Sequence, residues 1–282
     1  MKLLRYGAKG QELPAILDNN GNIRDLSAYI KDIAGDILLP ENLEKLKKID
    51  ITRLPLVPND VRIGACVGNV GKFICIGLNY VAHASETSCK VPEEPVVFNK
   101  WTSAIIGPND NIEIPINSTK TDWEVELGVV IGKGGKYIEQ KDALTHVAGY
   151  CVINDVSERD YQLNRCGSWD KGKGCDTFGP IGPWLVTKDE IADVHDLNLW
   201  LEVDGKRYQD SNTKAMVFTV DYLISYLSQF MSLQPGDVIA TGTPPGVGLG
   251  LNPPVFLKAG QKIKLAIDGL GEQNQLVVNA KK

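Results

Sequence analysis

The sequence predicts an α+β fold dominated by β-strands, and three observations lead to this prediction. Short segments rich in β-branched and aromatic residues recur along the chain and outnumber the helical ones. These segments do not alternate regularly with helices, which argues against a doubly wound parallel sheet. The chain has 282 residues, a length that is enough for one main domain together with a smaller one.

Composition and charge exclude several classes of function. The chain is 43% hydrophobic and 23% charged, with a net charge of −5, so its charge does not favour a nucleic-acid partner. No apolar run approaches the roughly 18 residues that a membrane span requires, and we expect no secretory leader because the N-terminal segment is polar. The six cysteines are irregularly spaced without C-x-x-C, which predicts reduced thiols and a cytoplasmic protein.

The first part of the chain has the pattern of a small α/β module. The turn signal Asn19-Asn20-Gly21 separates two alternating segments and predicts a hairpin. The predicted elements are strands over 2–6, 14–18 and 22–26, a short helix capped by Ser27 and a helix over 41–48. Pro55 and Pro58 then interrupt regular structure, so we expect a domain boundary between residues 55 and 70.

The remaining segments predict a larger domain that is rich in strands. The predicted strands lie over 72–77, 95–99, 111–116, 122–131, 146–155, 198–203, 238–241, 262–267 and 275–278. The predicted helices lie over 139–145, 156–164 and 219–231, with Thr219 as the cap of the last. Two stretches rich in glycine, 167–182 and 241–248, are predicted to be loops.

The strand over 122–131 contains the first candidates for a functional site. Successive side chains of a strand point to opposite faces, so Glu124 and Glu126 share one face. Two close carboxylates resist burial unless a cation neutralises them, and hard divalent cations prefer oxygen ligands. The pair therefore either binds a metal or lies on the solvated face of an edge strand. Asp155, at the end of another apolar strand, either supplies a third ligand for Mg²⁺ or Mn²⁺ or caps the helix predicted to follow it.

Other residues are candidates for catalysis and substrate binding. His83 and Glu86 are three residues apart, so on a helix the carboxylate could orient the imidazole as a general base. The alternative is a solvated histidine in a loop. Lys173 lies between two glycines, where it either presents an ammonium to a developing oxyanion or is an exposed loop lysine. The weaker candidates are Arg159, Gln162, Lys100 and Thr243.

Taken in order, six segments resemble the fumarylacetoacetate hydrolase superfamily. Each segment alone is a weak signal, and the specific part of the resemblance is their shared order over residues 72–268. The segments are Gly77-Leu78-Asn79-Tyr80-x-x-His83-x-x-Glu86; Phe98-x-Lys100 with Gly107-Pro108; Asp122-Trp123-Glu124-x-Glu126; Asn154-Asp155-Val156-Ser157-x-Arg159-Asp160-x-Gln162; Lys173-Gly174-x-Asp176-Thr177-Phe178-x-Pro180-x-Gly182-Pro183; and Pro235-Gly236-Asp237-Val238-Ile239-x-Thr241-Gly242-Thr243-Pro244-Pro245-Gly246-Val247-Gly248.

The resemblance implies a mixed β-roll or β-sandwich catalytic domain over 66–282, a variable N-terminal module over 1–65 and a homodimer. It implies one Mg²⁺ or Mn²⁺ per chain, with Glu124, Glu126 and Asp155 as ligands. His83 and Glu86 would form a dyad that activates water. The resemblance also implies a catalytic Lys173 and substrate contacts from Arg159, Gln162, Thr243 and Lys100.

The implied activity is hydrolysis of the C3–C4 bond of a 2,4-dioxo acid (an acylpyruvate) to pyruvate and a carboxylic acid. The segment from Gly174 to Pro183 resembles the branch that acts on 2,4-dioxo-3-deoxy sugar acids or fumarylpyruvate, often labelled ureidoglycolate lyase. One alternative is a lyase, decarboxylase or isomerase that works through the same metal-bound enolate. A second alternative is a non-catalytic metal-binding protein on this fold.

Overall fold

Strands dominate the fold, which confirms the predicted class. The computed structural model describes residues 1–281. The strands are β1 (Lys2–Tyr6), β2 (Leu13–Leu17), β3 (Ile23–Asp25), β4 (Phe73–Gly77), β5 (Val96–Lys100), β6 (Ile105–Ile106), β7 (Ile112–Ile114), β8 (Thr121–Asp122), β9 (Val125–Ile131), β10 (Val147–Asn154), β11 (Ser157–Glu158), β12 (Gly179–Thr187), β13 (Asn198–Val203), β14 (Lys206–Asn212), β15 (Val238–Ala240), β16 (Lys262–Ile267) and β17 (Gly271–Asn279).

The helices are short and connect the strands. The α-helices are α1 (Pro40–Leu46), α2 (Val81–Glu86), α3 (Arg159–Asn164), α4 (Asp170–Lys173) and α5 (Val220–Phe230). The 3-10 helices are Gly35–Leu38, Ile51–Arg53, Thr102–Ala104, Gln140–His146, Lys188–Glu190, Thr213–Ala215 and Gly248–Gly250. Across residues 1–281, none of the helices has both the length and the apolar character that a membrane crossing requires.

Two large sheets enclose the main core. One has the strand order β3-β2-β1-β12-β10-β9-β15-β4-β5, with β6 beside β12, and the other has the order β14-β13-β16-β17-β7. Their facing side chains form one buried cluster, in which Leu127 and Val129 of β9 join Leu199 of β13 and Leu265 of β16. The alternating burial along β13 and β16 is the pattern of strands with one face on a core.

The N-terminal strands extend the larger sheet. β1 pairs antiparallel with β12, and a second buried cluster brings Leu3 and Ile16 together with Val130 and Ile153. The predicted hairpin is present, since β2 pairs antiparallel with β3. The division of the chain at residue 65 stays a prediction.

The prediction of a loop over 167–182 was wrong, because this stretch contains α4 and the beginning of β12. The prediction rested on the density of glycine between Gly167 and Gly182, a composition that is typical of loops. The pairing with β10 is irregular at this point, since Tyr150 faces Val186 whereas Val152 faces Gly182. This irregularity accommodates Pro183 without a regular ladder hydrogen bond.

Three of the predicted helices also differ from the structure. Ser27 begins no helix; its backbone N–H and its hydroxyl both donate to Asp25 in a local turn. The helix predicted over 156–164 begins at Arg159, because Ser157–Glu158 pairs with Thr121–Asp122 as a short ribbon. The helix over 139–145 is a 3-10 helix. Thr219 stands at the N-cap of α5, but its side chain makes no capping hydrogen bond.

Candidate active site

The candidate site lies where the ends of three neighbouring strands meet. β9 runs antiparallel to both β10 and β15, so the beginning of β9 lies beside the ends of its two neighbours. Glu124 precedes β9, Asp155 follows β10, and Thr243 follows β15. Segments far apart in the sequence are thereby brought together by the register of the sheet.

The three predicted carboxylates form one buried group. Oxygen atoms of Glu124, Glu126 and Asp155 all lie within 4.8 Å of one another, and none of these residues is more than 4% exposed. Glu124 lies just outside the strand, where its carbonyl oxygen accepts a hydrogen bond from the Asp155 N–H at 2.9 Å. The solvated acidic face is therefore excluded for this pair. Asp155 caps no helix, because Glu158 occupies the N-cap position of α3.

Two lysines hold the carboxylate of Asp155. Lys173, at the end of α4, donates from Nζ to Glu124 Oε2 and to Asp155 Oδ2, at 2.7 Å each. Lys100, at the end of β5, donates from Nζ to Asp155 Oδ1 at 2.5 Å and to the carbonyl oxygen of Val156 at 2.9 Å. Both ammonium groups are buried. Lys173 is thus not an exposed loop lysine.

Arg159 links the carboxylate group to a fourth acidic residue, Asp122. Its Nε donates to Asp122 Oδ2 at 2.8 Å, its Nη1 donates to Gln162 Oε1 at 3.0 Å, and its Nη2 lies 2.7 Å from Glu124 Oε1. Asp122 also accepts hydrogen bonds from the backbone N–H groups of Gly248 and Leu249. The sequence analysis assigned Asp122 no role. The signal that could have found it is an acidic residue beside the apolar run of β9, where burial requires several donors.

The carboxylates of Glu124 and Glu126 differ in how far nearby cations neutralise them. Burial opposes ionisation of Glu124, but the cationic Lys173 and Arg159 outweigh it and hold its pKa well below the usual range. Burial raises the pKa of Glu126 well above its usual range, and the nearby carboxylates of Asp155 and Glu124 raise it further. Glu126 accepts a hydrogen bond from the Gly242 N–H at 2.8 Å, and within residues 1–281 it forms no ion pair with a lysine or arginine.

This donor set fits a hard divalent cation. Three close carboxylates are the oxygen ligands that Mg²⁺ and Mn²⁺ prefer. Glu126 is a buried carboxylate beside two others, and within residues 1–281 it has no lysine or arginine as an ion-pair partner. A bound divalent ion would supply the positive charge that neutralises it. The residues that would hold it are Glu124, Glu126 and Asp155.

His83 and Glu86 form a hydrogen-bonded pair on α2. His83 Nδ1 lies 2.8 Å from Glu86 Oε1, and the other oxygen of Glu86 accepts from the Gly246 N–H at 2.8 Å. The imidazole is 6% exposed, so His83 is not a solvated loop residue. The glutamate therefore fixes the ring and ties α2 to the loop that follows β15.

A cavity of about 100 Å³ opens beside these groups. The polar residues that line it are His83, Thr87, Glu124, Glu126, Arg159, Gln162, Lys173 and Thr243, and the others are Ile76, Gly77, Leu78, Cys89, Phe98, Leu163, Trp169 and Leu249. Lys100 is not among them, because its ammonium lies against Asp155 and Val156. The hydroxyl of Thr243 donates to the Val125 carbonyl oxygen and accepts from Gln209 Nε2.

Three apolar residues of this lining could not be singled out from the sequence. Leu163, Trp169 and Leu249 carry no chemical signal in the sequence, and each comes from a different segment. Trp169 packs edge-on against Phe98 with ring centroids 5.3 Å apart. A side chain on Gly77 would come within 2.6 Å of the Trp169 ring, so this glycine permits the indole to cover the strand end.

Comparisons with known proteins find a matching family model and similar sequences and structures. The family model described as "Fumarylacetoacetate (FAA) hydrolase C-terminal" matches residues 72–278. A Burkholderia ambifaria protein named "Putative hydrolase" is 66% identical over 282 residues, with both chains fully covered. The structure of fumarylacetoacetate hydrolase from Exiguobacterium antarcticum is similar, with a TM-score of 0.87, 33% identity and coverage of 99% of this chain and 100% of that one. A 2-hydroxyhepta-2,4-diene-1,7-dioate isomerase from Mycobacterium marinum has a TM-score of 0.78 and 34% identity, with full coverage of both chains.

Proposed function

The chain belongs to the fumarylacetoacetate (FAA) hydrolase family, and we propose that it cleaves the C3–C4 bond of a 2,4-dioxo acid to give pyruvate and a carboxylic acid. The observation that carries this proposal is a buried three-carboxylate group beside a His83–Glu86 dyad, with Glu124, Glu126 and His83 lining the same cavity. The carboxylates suit a divalent ion, and the dyad suits the activation of water. The expected partner is therefore a small dioxo acid.

The metal would supply one part of the chemistry. Bound by Glu124, Glu126 and Asp155, Mg²⁺ or Mn²⁺ would act as a Lewis acid for the oxygen atoms of the dioxo acid and for the charge that develops there. The expected stoichiometry is one ion per chain.

The dyad would supply the nucleophile. Glu86 holds His83 Nδ1, so the other ring nitrogen, Nε2, is the one left to accept a proton from water. The hydroxide then forms a bond to C4 of the substrate. The C3–C4 bond breaks with its electron pair on C3, which takes up a proton as pyruvate forms.

Cationic side chains would stabilise the oxyanion at C4. The ammonium of Lys173 is buried beside Glu124 and 5.1 Å from the Phe98 ring centroid, so it is held away from bulk water, where a charged donor is more effective than in solvent. Arg159 and Gln162 lie one helical turn apart on α3 and are hydrogen-bonded to each other. They would position the substrate beside Lys173.

The test is pyruvate release from a panel of 2,4-dioxo acids, measured with Mg²⁺, with EDTA and with the His83→Ala variant. We expect release that requires metal and falls by about 10²–10⁴-fold without the histidine base. The released carboxylic acid must match pyruvate mole for mole. Metal binding without turnover of any dioxo acid would contradict the proposal and would favour a non-catalytic protein.

A second candidate function is isomerisation or decarboxylation at the same site. It draws support from the Mycobacterium marinum isomerase, whose structure is similar over the full length. Neither reaction needs a hydrolytic water, so neither should depend on His83 as a base for water. Carbon dioxide as the co-product, or a rearranged acid without pyruvate, would identify these reactions. The homodimer and the cytoplasmic location stay predictions, and light scattering tests the first.

A further inference from the structure

We propose that the cavity selects dioxo acids with an uncharged acyl group and discriminates against those with a second carboxylate. The inference rests on the proposed function, because it concerns the half of the substrate beyond C4. Its basis is the distribution of charge along the cavity lining. Lys173 and Arg159 are both paired at the carboxylate group, which is the end of the cavity assigned to C1–C4 of the substrate, and not beyond C4.

The apolar wall begins directly beside that group. Phe98 lies under the ammonium of Lys173, with 5.1 Å between Nζ and the ring centroid, and Trp169 continues the aromatic surface from Phe98. Leu163 follows Arg159 by four residues on α3, which places it on the same helical face. Leu249 is fixed nearby, because its N–H donates to Asp122. An acyl group that leaves the polar end therefore meets Phe98, Trp169, Leu163 and Leu249.

The arginine, the lysine and the histidine that line the cavity already have carboxylate partners. Arg159 contacts Asp122 and Glu124, and Lys173 contacts Glu124 and Asp155. His83 is held by Glu86. Within the described part of the chain, the residues that line this cavity include no other lysine, arginine or histidine. A carboxylate at the far end of a substrate would lose water without gaining a charged partner.

Two exposed lysines lie close in sequence to residues that line the cavity, but they do not line it themselves. Lys90 follows Cys89 and is exposed, and Lys171 is also exposed, with its ammonium donating to the carbonyl oxygen of Arg165. Exposed ammonium groups in water contribute little to the binding of an anion. A neutral polar acyl group, by contrast, can find a hydrogen-bond partner. Gln162 accepts from Arg159 through Oε1, and its amide N–H groups can still donate. Hydroxyl groups are thus compatible with this cavity, whereas a second charge is not.

The test compares two acids that differ in one group, 2,4-dioxoheptanoate and 2,4-dioxoheptanedioate. They share the pyruvyl half and the chain length, and C7 is a methyl group in the first and a carboxylate in the second. With Mg²⁺ present, we expect kcat/KM for the monoacid to be higher by about 10–100-fold, the effect of burying a charged group without a partner. Equal values, or a preference for the diacid, would overturn the inference.

A variant of the wall should reduce the preference. Leu163 lines the cavity and is 47% exposed, so Leu163→Arg can fold with its charge on the cavity wall, where Lys90 and Lys171 do not lie. We expect it to raise kcat/KM for the diacid relative to the monoacid, whereas the matched control Leu163→Met keeps the preference of the wild type. An unchanged ratio in Leu163→Arg would argue against a charge-based selection.

Binding separates this inference from the proposed reaction. Calorimetric titration of both acids into the Mg²⁺-loaded His83→Ala variant reports affinity without turnover, and we expect the monoacid to bind more tightly. If the wild type releases no pyruvate from either acid, the proposed function fails, but tighter binding of the monoacid would still support the inference. Absence of binding by both acids, or tighter binding of the diacid, would overturn it.

Discussion

Two clusters of acidic and basic side chains in this protein have the same charge balance but different surroundings. The active-site cluster consists of Asp122, Glu124, Glu126, Asp155, Lys100, Arg159 and Lys173. The N-terminal cluster consists of Arg5, Glu12, Asp32, Arg62 and Asp110. Each cluster contains one more carboxylate than cations, so the formal charge is −1 in both. The difference between them therefore lies in solvent exposure and geometry.

The N-terminal cluster is built from paired guanidinium groups at the surface. Arg62 binds both oxygens of Asp110, at 2.8 and 2.6 Å, and Arg5 binds both oxygens of Asp32, at 2.6 and 3.1 Å. Glu12 lies between the two arginines. The side chains of Asp110 and Asp32 are 21% and 25% exposed, whereas Glu12 is 7% exposed and paired with both arginines. Water can therefore solvate two of the three carboxylates of this cluster.

The carboxylates of the active-site cluster are much less exposed to water. Asp155 and Asp122 are fully buried and Glu126 is 1% exposed, so the excess charge must be met by a proton or by a bound cation. The comparison suggests a hypothesis: the same charge imbalance is tolerated where water reaches it, and in the interior it requires a proton or a cation.

The largest difference is expected for removal of one aspartate charge. Asp155→Asn removes the carboxylate that is paired with the buried ammonium of Lys100, so we expect a loss of about 3–5 kcal/mol in unfolding free energy. Asp32→Asn changes a partly exposed pair and should cost no more than about 1 kcal/mol. Urea denaturation in metal-free buffer measures both. Equal losses would contradict the contrast between the clusters.

Removal of a cation should affect turnover in one cluster alone. Lys173→Met removes the donor assigned to the oxyanion, so kcat should fall by about 10²–10³-fold. Arg62→Met should lower stability and leave kcat unchanged, because Arg62 lies in the N-terminal cluster. Steady-state kinetics of pyruvate release measure both variants. Unchanged kcat in Lys173→Met, with metal still bound, would remove the role assigned to Lys173.

Lys100 is expected to orient Asp155, a proposed metal ligand, and not to contact the substrate. Its bonds to Asp155 and to the Val156 carbonyl oxygen orient that ligand, so Lys100→Met should weaken metal binding by about 10–100-fold. At saturating metal, KM for the dioxo acid should stay the same, in contrast to the substrate contact that the sequence implied. The control is Lys72→Met, which removes a lysine–carboxylate pair with Asp237 outside the site. A higher KM at saturating metal would instead support a substrate contact.

The smallest effect is expected in the N-terminal hairpin. The Asn22 N–H and the Arg24 side chain hold the Asp18 carboxylate and lower its pKa from 3.8 to about 2. Because the folded-state pKa is the lower one, the carboxylate stabilises the fold above pH 3.8, and this contribution is lost as the pH falls towards 2. The melting temperature of Asp18→Asn should therefore lie below that of the wild type at pH 7, with a gap that closes below pH 3.8. A gap of constant size would contradict the assigned role.

The contrast between the clusters also explains what the sequence could predict. The three carboxylates were predictable because acidic residues in apolar strands need a reason to be there, and the ordered motifs resembled one family. The strand pattern was predictable where side chains alternate, as in β13 and β16. These signals are local, and they depend on residue type and spacing.

Tertiary register determines what the sequence could not predict. β12 escaped prediction because the glycines at its start are typical of a loop, whereas its pairing with β10 depends on tertiary structure. Lys100 and Asp155 meet across 55 residues of sequence, and no local pattern shows that Lys100 pairs with Asp155 instead of lining the cavity. The wall formed by Leu163, Trp169 and Leu249 is assembled from three segments, and leucine and tryptophan are ordinary core residues in each.

The central claim is that the buried carboxylate group is a divalent metal site, and calorimetric titration of EDTA-treated protein with Mn²⁺ tests it most directly. We predict one Mn²⁺ per chain for the wild type and for Glu12→Gln, which alters a carboxylate in the N-terminal cluster. Glu126→Gln, which removes the carboxylate without a cation partner, should lose this binding. An absence of binding in the wild type, or an unchanged affinity in Glu126→Gln, would contradict the claim.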